Sequence, residues 1–300
     1  MNEALIETLT QQIDDAFFLI GGAMLLIEIL KGLFSRSLKG VGALDMIASA
    51  STQIPFLVVE IFLMTFVYAF FVIVSETVVT WQFDVTWQTA LLALLAADFA
   101  YYWEHRFAHR VRLFWTQHAV HHSSRYMNIV TGFRFGPFES IASAMFTLPL
   151  ILIGFPPALA FSGLIIVLAY QTWIHTALIG KLPVLDEVLN TPANHRVHHG
   201  SDEKYIDKNY GGILIIWDRL FGSFQREEET PIYGLKRDFD SVNPLAVWFS
   251  ELPQFFKDVA SAKSVGEAMS WIFGPPEKVP AQAHGRRELE AQARYRTPQI

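Results

Sequence analysis

One long run of apolar residues, Ile54–Val74, constrains the fold of this chain more than any other feature, because its only charged residue is Glu60. A helix needs about 20 mostly apolar residues to cross a bilayer core, so this run predicts a transmembrane helix. The shorter or interrupted apolar runs are Ala16–Phe34, Ala90–Trp103, Phe138–Ile153 and Ala158–Ile174. The chain is 52% hydrophobic and only 17% charged. These features predict an all-α integral membrane protein with about four to five membrane helices or hairpin segments.

The basic residues of the short loops alternate between the two sides of the predicted membrane. Arg36 and Lys39 follow the first apolar run, whereas the loop Glu76–Trp87 holds no Lys or Arg. Five arginines follow the third run, and Lys181 and Arg196 follow the fifth. Because cytoplasmic loops are enriched in Lys and Arg, we expect the N-terminus outside or in the lumen and the C-terminus in the cytoplasm. The histidine-rich segments are expected in the cytoplasm too, at a bacterial inner membrane or the endoplasmic reticulum.

Charge and cysteine content exclude several classes of function. The chain has no cysteine, which excludes disulfide scaffolds, thiolate metal sites and cysteine nucleophiles. Its formal net charge of −6 offers no basic surface to a nucleic acid backbone, so no nucleic acid partner is expected. A metal in this protein would have to be held by His, Asp, Glu or amide groups.

Histidine spacing carries the strongest functional signal in the chain. Nine of the ten histidines lie between His105 and His199, and eight of these form three clusters. Residues three and four apart share one face of a helix, so each cluster directs two or three imidazoles at one place. A lone His is more often structural, but eight crowded imidazoles would leave ring nitrogens unpaired unless a metal binds them. The predicted metal ligands are His105, His109, His118, His121, His122, His175, His195, His198 and His199.

The number and type of these ligands narrow the choice of metal. A catalytic zinc takes three protein ligands and a structural zinc four, so eight or nine imidazoles suffice for about two ions. The zinc protease pattern H-E-x-x-H is absent, because Glu104 precedes His105. Imidazole suits iron, zinc, copper and nickel alike, and we favour two Fe ions, which can activate O2 to oxidise a C–H bond. Zinc can substitute for iron in purified protein. The alternative is a non-redox zinc or other metal store or transporter in the membrane.

Two further polar residues are candidates for a catalytic role. Asp98 lies on the same helical stripe as His105 and His109, and we expect it either to orient a ligating imidazole or to pair with another helix. Asn209 lies close before two glycines, where it either donates a hydrogen bond to a bound water or shapes a turn. For Glu28 in the first apolar run, as for Glu60 in the second, we favour structural pairing or a channel wall.

The clusters H-x3-H, H-x2-H-H and H-x2-H-H, in this order after apolar runs, resemble the fatty acid hydroxylase/sterol desaturase superfamily of membrane di-iron oxygenases. The strings YYWEHR (101–106), NTPANHRVHHG (190–200) and WDRLFG (217–222) are similar to the alkylglycerol monooxygenase branch of that superfamily. Ala177 departs from that branch, in which an acidic residue is expected at this position. The resemblance implies that these nine histidines, His175 and the eight in the clusters, are iron ligands or their immediate neighbours, in a cap of cytoplasmic helices over a membrane stem.

Ligand set and resemblance together predict a membrane-bound, O2-dependent di-iron oxygenase. It is expected to hydroxylate or desaturate the alkyl part of a membrane lipid, such as a fatty acyl chain, a sterol or an ether lipid. The sequence holds no dinucleotide-binding loop or haem-attachment motif, so the electrons are expected from a separate donor, either a protein or a diffusible reductant. Residues 1–224 are predicted to form the membrane-embedded catalytic domain. Residues 225–300 are predicted to form interfacial helices over Asn243–Phe273 and a polar tail from Glu277.

Overall fold

The structure is a computed structural model that describes residues 3–35, 41–236, 239 and 241–278. Arg36, Lys39 and residues 279–300 of the predicted polar tail lie outside these segments. Within them the chain forms α-helices and short 3-10 helices and no β-strand, which confirms the predicted all-α class. The α-helices are Glu3–Ser35 (α1), Val41–Thr77 (α2), Trp87–Arg110 (α3), Arg112–His122 (α4), Ser140–Leu152 (α5), Pro157–Ile174 (α6), Pro192–His198 (α7), Ile216–Phe221 (α8), Pro244–Trp248 (α9), Leu252–Ala260 (α10) and Val265–Phe273 (α11).

Three helices of the described chain are long and apolar enough to cross a membrane. They are Ala4–Leu33 within α1, Gly42–Thr77 within α2, and Pro157–Ile174, which is α6. The other two predicted apolar runs form most of α3 and α5. With 13 residues, α5 is about 20 Å long, which is too short to cross a bilayer core alone. All five predicted runs therefore lie in helices of an integral membrane protein, and α5 forms a hairpin segment with α6.

Helix α6 is the centre of the membrane stem. In its most apolar stretch 61% of the residues are buried, compared with 17% in the corresponding stretch of α1 and 6% in that of α2. A Cβ atom added to Gly163 of α6 would lie 2.9 Å from Cβ of Ala97 on α3, and one on Gly21 of α1 would lie 2.4 Å from Cγ2 of Thr172 on α6. Such close approach through small residues is typical of packing between membrane helices. The largely unburied α2 instead presents an apolar surface to lipid.

Two half-buried carboxylates, Glu28 and Glu60, connect the stem to the segments around the histidines. Glu28 on α1 accepts hydrogen bonds from the backbone N–H of Ile129 at 2.9 Å and from the hydroxyl of Thr176 at 2.5 Å. Glu60 on α2 accepts a hydrogen bond from the hydroxyl of Ser140 at the start of α5. These contacts confirm the structural pairing predicted for Glu28 and Glu60.

The chain that follows Phe224 folds back onto α7 and the loop after it. The N–H of Ser201 donates to the carbonyl of Ile232 at 2.8 Å. The guanidinium of Arg196 binds both carboxylate oxygens of Glu227, each at 2.7 Å. Residues 225–236 thus pack against the histidine-bearing part of the protein. The division into two domains at residue 224 stays a prediction.

Candidate metal centre

Four helices bring nine buried histidines to one place. Helix α3 contributes His105 and His109, α4 contributes His118, His121 and His122, the residue after α6 is His175, and α7 with its C-cap residue contributes His195, His198 and His199. The short α7 begins where the Thr191 hydroxyl accepts a hydrogen bond from the N–H of Asn194, and Pro192 occupies its first position. Both features favour the start of a helix, so the last cluster begins at a well-defined turn.

The nine histidines form two groups, and each group could hold one metal ion. Within a group, one ring nitrogen from each histidine lies within 4.8 Å of those of all the other members. The five-histidine group consists of His105, His109, His118, His122 and His198. The four-histidine group consists of His121, His175, His195 and His199. Neighbouring residues on α4 therefore serve different groups, because His121 and His122 point in different directions around the helix.

Distances between ring nitrogens test whether the rings fit a metal. Nε2 of His105 lies 3.1 Å from Nε2 of His118, and Nε2 of His121 lies 3.1 Å from Nε2 of His175. Nitrogens bound to one ion at about 2.1 Å lie roughly 3 Å apart when they occupy adjacent positions. Nε2 of His198 is buried without any hydrogen-bond partner. A metal would bind this nitrogen and the closely spaced Nε2 pairs, so the donor set fits a pair of metal ions.

The protonation state of the rings also suits metal binding. Burial lowers the pKa of His109 to about 4, although the nearby Asp207 opposes the shift. Burial likewise lowers the pKa of His175 to about 4. For His121, burial lowers the pKa and the neighbouring rings of His199 and His175 add to the effect. His109, His175 and His121 are therefore neutral at pH 7, and neutral imidazole is the form that binds a metal.

Outer hydrogen bonds hold several rings with Nε2 directed inward. Four rings donate from Nδ1: His105 to the Tyr210 carbonyl (2.9 Å), His198 to the Lys208 carbonyl (3.0 Å), His175 to the Gln171 carbonyl (2.8 Å) and His118 to the Glu139 carboxylate (2.5 Å). Such partners fix the tautomer and the orientation of a ligating imidazole. The partners Tyr210, Lys208 and Glu139 could not be predicted from the sequence, because no helical spacing connects them to their histidines.

Among the contacts that the structure describes, carboxylates lie beside the rings of only one of the two groups. In the five-histidine group, Glu139 accepts from His118, and Oδ1 of Asp207 lies 3.6 Å from Nδ1 of His109. In the four-histidine group, Nδ1 of His121 and Nδ1 of His195 are buried without a partner. The two histidine groups are thus inequivalent in number of rings and in nearby negative charge.

The role expected for Asp98 as an orienting partner of an imidazole is wrong. Its carboxylate accepts hydrogen bonds from the N–H groups of Ile213 at 2.6 Å and Leu214 at 3.1 Å, and from the Trp217 indole at 2.8 Å. The helical spacing predicts that Asp98 lies on the same face of α3 as His105. The loop before α8 lies against this face, and its backbone N–H groups donate hydrogen bonds to the carboxylate. The alternative, a packing role for Asp98, describes these contacts better, although the partner is a loop and not another span.

Asn209 shapes a turn, and the catalytic role proposed for it is not supported by its contacts. Its backbone adopts a positive φ of 56°. Its side-chain amide donates to the carbonyls of Asn194 at 3.0 Å and Gln225 at 2.8 Å, and its side-chain oxygen accepts from the N–H of Gln225 at 2.8 Å. Both ends of the side-chain amide therefore bind backbone groups. Of the two predicted roles, the structure shows the one in which Asn209 shapes a turn.

Asp218 supports the same loop and was not singled out in the sequence. It accepts hydrogen bonds from the N–H groups of Tyr210 at 2.8 Å and Gly211 at 2.7 Å. Burial raises its pKa to about 6, against the effect of these hydrogen bonds. Because the Tyr210 carbonyl accepts from His105, Asp218 acts on the five-histidine group through the backbone.

Comparison with known proteins agrees with this geometry. Residues 90–223 match the model of the fatty acid hydroxylase family. This segment is a fatty acid hydroxylase domain. It contains all nine clustered histidines, and the resemblance predicted from their spacing is confirmed. No solved structure matches the chain.

Several curated relatives of the fatty acid hydroxylase domain modify lipids. The chain is 40% identical over 202 residues to alkylglycerol monooxygenase of Danio rerio, a match that covers 67% of this chain and 44% of that protein. It is 29% identical over 216 residues to ornithine lipid hydroxylase OlsE of Rhizobium tropici, covering 68% and 61%. It is 30% identical over 193 residues to Delta(7)-sterol 5(6)-desaturase of Eremothecium gossypii, covering 63% and 48%. The chain thus matches less than half the length of the alkylglycerol monooxygenases.

Proposed function

We propose that this protein is a membrane-embedded oxygenase that hydroxylates the alkyl part of a lipid, using O2 and two Fe ions. The observation that carries the proposal is the convergence of nine buried imidazoles into groups of five and four inside a fatty acid hydroxylase domain. All nine histidines are proposed as ligands. Relatives that oxidise lipids favour this function over a non-redox metal store or transporter.

The proposed reaction consumes one O2, two electrons and two protons for each C–H bond that is hydroxylated. One oxygen atom enters the lipid and the other leaves as water. Two bound irons would supply the redox chemistry that cleaves the O–O bond. Desaturation is the alternative outcome, in which two hydrogens leave the alkyl chain and both oxygen atoms leave as water. The proposed source of the electrons is an external donor, because the sequence holds no dinucleotide-binding loop or haem-attachment motif.

The residues around the rings are suited to hold an alkyl chain and to exclude water. The ring of Phe135 lies parallel to that of His121, with centroids 6.2 Å apart, and stacks on Phe56 of α2 at 4.9 Å. An apolar wall thus connects the four-histidine group to the lipid-facing helix α2. On the other side, Trp115 lies 5.2 Å from the ring of His109. We propose that an alkyl chain enters along Phe56 and Phe135 and that its position selects the carbon oxidised.

The proposed orientation places the histidine-bearing segments on the cytoplasmic side and the N-terminus on the outer or lumenal side. Lys181 and Arg196 follow α6 on the histidine side, whereas the loop between α2 and α3 has no Lys or Arg. This distribution supports the orientation. The membrane would be a bacterial inner membrane or the endoplasmic reticulum.

Isotope labelling in matched variants tests the proposal. Cells that express the wild-type chain, His121→Ala or His284→Ala would be grown under 18O2, and their lipids compared by mass spectrometry. His284→Ala is the control, because His284 is the histidine outside the clusters. We expect one 18O atom in a lipid product of the wild type and of the control, and none with His121→Ala. Labelled product that persists in His121→Ala at the wild-type level would contradict the proposal.

Metal analysis separates this function from metal storage. The protein would be purified without oxygen, loaded with iron, and assayed for reductant-dependent O2 uptake with added lipid. We expect O2 uptake with iron and none with zinc in the same sites. Reversible binding of two zinc ions, with no O2 uptake by the iron-loaded protein under any donor, would favour storage or transport. Zinc found in overexpressed protein decides nothing, since metal supply can fill imidazole sites with the wrong ion.

A further inference from the structure

The three short helices α9, α10 and α11, named the collar here, expose large apolar side chains in helical register. Val265, Met269 and Phe273 lie four residues apart on α11 and are 81%, 48% and 52% exposed. Leu245 of α9 and Phe256 of α10 are 66% and 62% exposed. Residues four apart share one face of a helix. Each helix of the collar therefore presents apolar groups that the described chain does not cover.

The opposite faces of the collar are fixed to the protein. Val247, Phe255 and Trp271, one from each helix, are buried. The exposed apolar face is therefore not the result of loose packing. If the collar were surrounded by water, its large apolar side chains would be exposed to solvent, which is unfavourable.

Two contacts connect the collar to the helix α4 that carries three histidines. The buried Arg112 at the start of α4 forms an ion pair with Asp258 of α10, and its N–H donates to the carbonyl of Gly274 after α11 at 2.9 Å. The Trp248 indole donates to the carbonyl of Phe135, the residue that stacks on His121, at 2.9 Å. The position of the collar is thus coupled to the metal centre through α4 and Phe135.

The charges of the collar favour an anionic surface as its partner. Lys257 and Lys263 are exposed, whereas Asp258 is buried in its ion pair with Arg112. The carboxylate of Glu267 accepts the N–H of Lys263 at 2.6 Å, at the start of α11. The fully exposed charged residues of the collar are therefore the two lysines, whereas Glu267 is half-buried and Glu251 is buried. Basic residues beside an apolar helix face are typical of helices that lie on anionic lipid.

The apolar face of the collar also continues a surface that already faces lipid. Helix α9 packs against α2, whose lipid-facing side begins with Leu44 and Ile47, 49% and 60% exposed. Leu113 at the start of α4 and Phe138 before α5 are 37% and 50% exposed. These groups join the collar to the surface of the membrane stem. Continuity with that surface favours lipid over a second protein as the occupant.

We propose that the collar docks on the membrane leaflet nearest the metal centre, with its apolar face at the boundary of headgroups and acyl chains. Lys257 and Lys263 contact anionic headgroups. Docking holds α4, and with it three histidines, at the depth where an alkyl chain leaves the bilayer. This inference goes beyond the proposed function and depends only on the membrane placement of the protein.

The absence of cysteine allows a direct test on the full chain in nanodiscs that contain phosphatidylglycerol. Val265→Cys and Met269→Cys would each carry a nitroxide label, and collisions with O2 and with a water-soluble nickel chelate would be measured. Glu203→Cys is the matched control, because the Glu203 side chain is 80% exposed on the polar part of the protein. We expect the labels on the collar to collide frequently with O2 and rarely with the nickel chelate. The control label is expected to collide frequently with the nickel chelate and less with O2.

Two further measurements distinguish the possible occupants. Replacing phosphatidylglycerol with phosphatidylcholine, or introducing Lys257→Glu with Lys263→Glu, is expected to raise the nickel accessibility of the Val265→Cys label at least severalfold. Collar labels as accessible to nickel as the control in anionic nanodiscs would overturn the proposal. Dipolar broadening between labels on two chains would show a second copy as the occupant, and would overturn it as well. Each reading is independent of oxygenase activity.

Discussion

The carboxylate of Glu139 lies 2.5 Å from Nδ1 of His118, although the two residues belong to different elements. Its second oxygen accepts a hydrogen bond from the N–H of Gly136 at 3.2 Å, which holds the carboxylate in place. Nε2 of His118 is then directed at Nε2 of His105, 3.1 Å away. A carboxylate on the outer nitrogen of a ligating imidazole fixes the ring and raises its basicity.

Glu139 is therefore expected to strengthen metal binding in the five-histidine group. Replacing an outer carboxylate of this kind costs about 10- to 100-fold in metal affinity, so we expect about 10-fold for Glu139→Gln and about 100-fold for Glu139→Ala. Titration with a competing chelator, followed by metal analysis, measures the change. Glu60→Gln is the control, since Glu60 is also a partly buried carboxylate but binds Ser140. Wild-type affinity in Glu139→Ala would refute this role.

Asp98 is expected to stabilise the protein without acting on a ligand directly. Its carboxylate accepts two hydrogen bonds from the loop before α8 and one from Trp217 of α8, and a hydrogen bond to a charged group contributes about 1.5–3 kcal/mol. Asp98→Ala should therefore lower the unfolding temperature strongly, and Trp217→Phe, which removes one of the three bonds, should lower it less. Thermal unfolding in detergent measures both. A variant Asp98→Ala with unchanged unfolding temperature but lost metal would return Asp98 to the role of an orienting ligand partner.

The histidine clusters and the apolar helices could be predicted from the sequence because both follow regular patterns along the chain. Clusters such as His105 with His109 lie on one helical face, and their convergence follows from that geometry. Asp98 shares the same stripe, but the stripe does not show which loop will lie against it. Its partner Trp217 is far away in the sequence, and only tertiary packing brings the two together.

The carboxylates that support the rings were missed for the same reason. Glu139 lies 21 residues beyond His118, and Asp207 lies far beyond His109, so helical spacing cannot connect either pair. The division of the histidines into a five-histidine group and a four-histidine group could not be predicted from the sequence either. It depends on how α3, α4, α7 and the residue after α6 are placed relative to one another, which no local pattern specifies.

Asp218 makes the stability of the protein depend on pH in a defined direction. Burial raises its pKa from 3.8 to about 6, so between these values the folded state binds more protons at this site than the unfolded state. Stability from this group is complete below about pH 4 and is lost as the pH rises to about 6, by roughly 3 kcal/mol. The unfolding temperatures of wild type and Asp218→Asn would be compared at pH 4, 5, 6 and 7. We expect the wild type to lose stability relative to the variant up to pH 6 and a constant difference above it; a constant difference throughout would contradict the shift.

The two metal ions proposed for this protein are expected to leave it in two steps, because their sites differ. The five-histidine group has Glu139 and Asp207 beside its rings, whereas His121 and His195 of the four-histidine group have no partner on their outer nitrogens. Fewer ligands and less negative charge weaken binding of a cation. Increasing chelator should therefore reduce the metal content from two ions to a plateau near one, and His195→Ala should begin at that plateau. His284→Ala, the control outside the clusters, should keep both steps. A single step in the wild type would show that the groups hold their ions equally, which the asymmetry of their outer contacts does not allow.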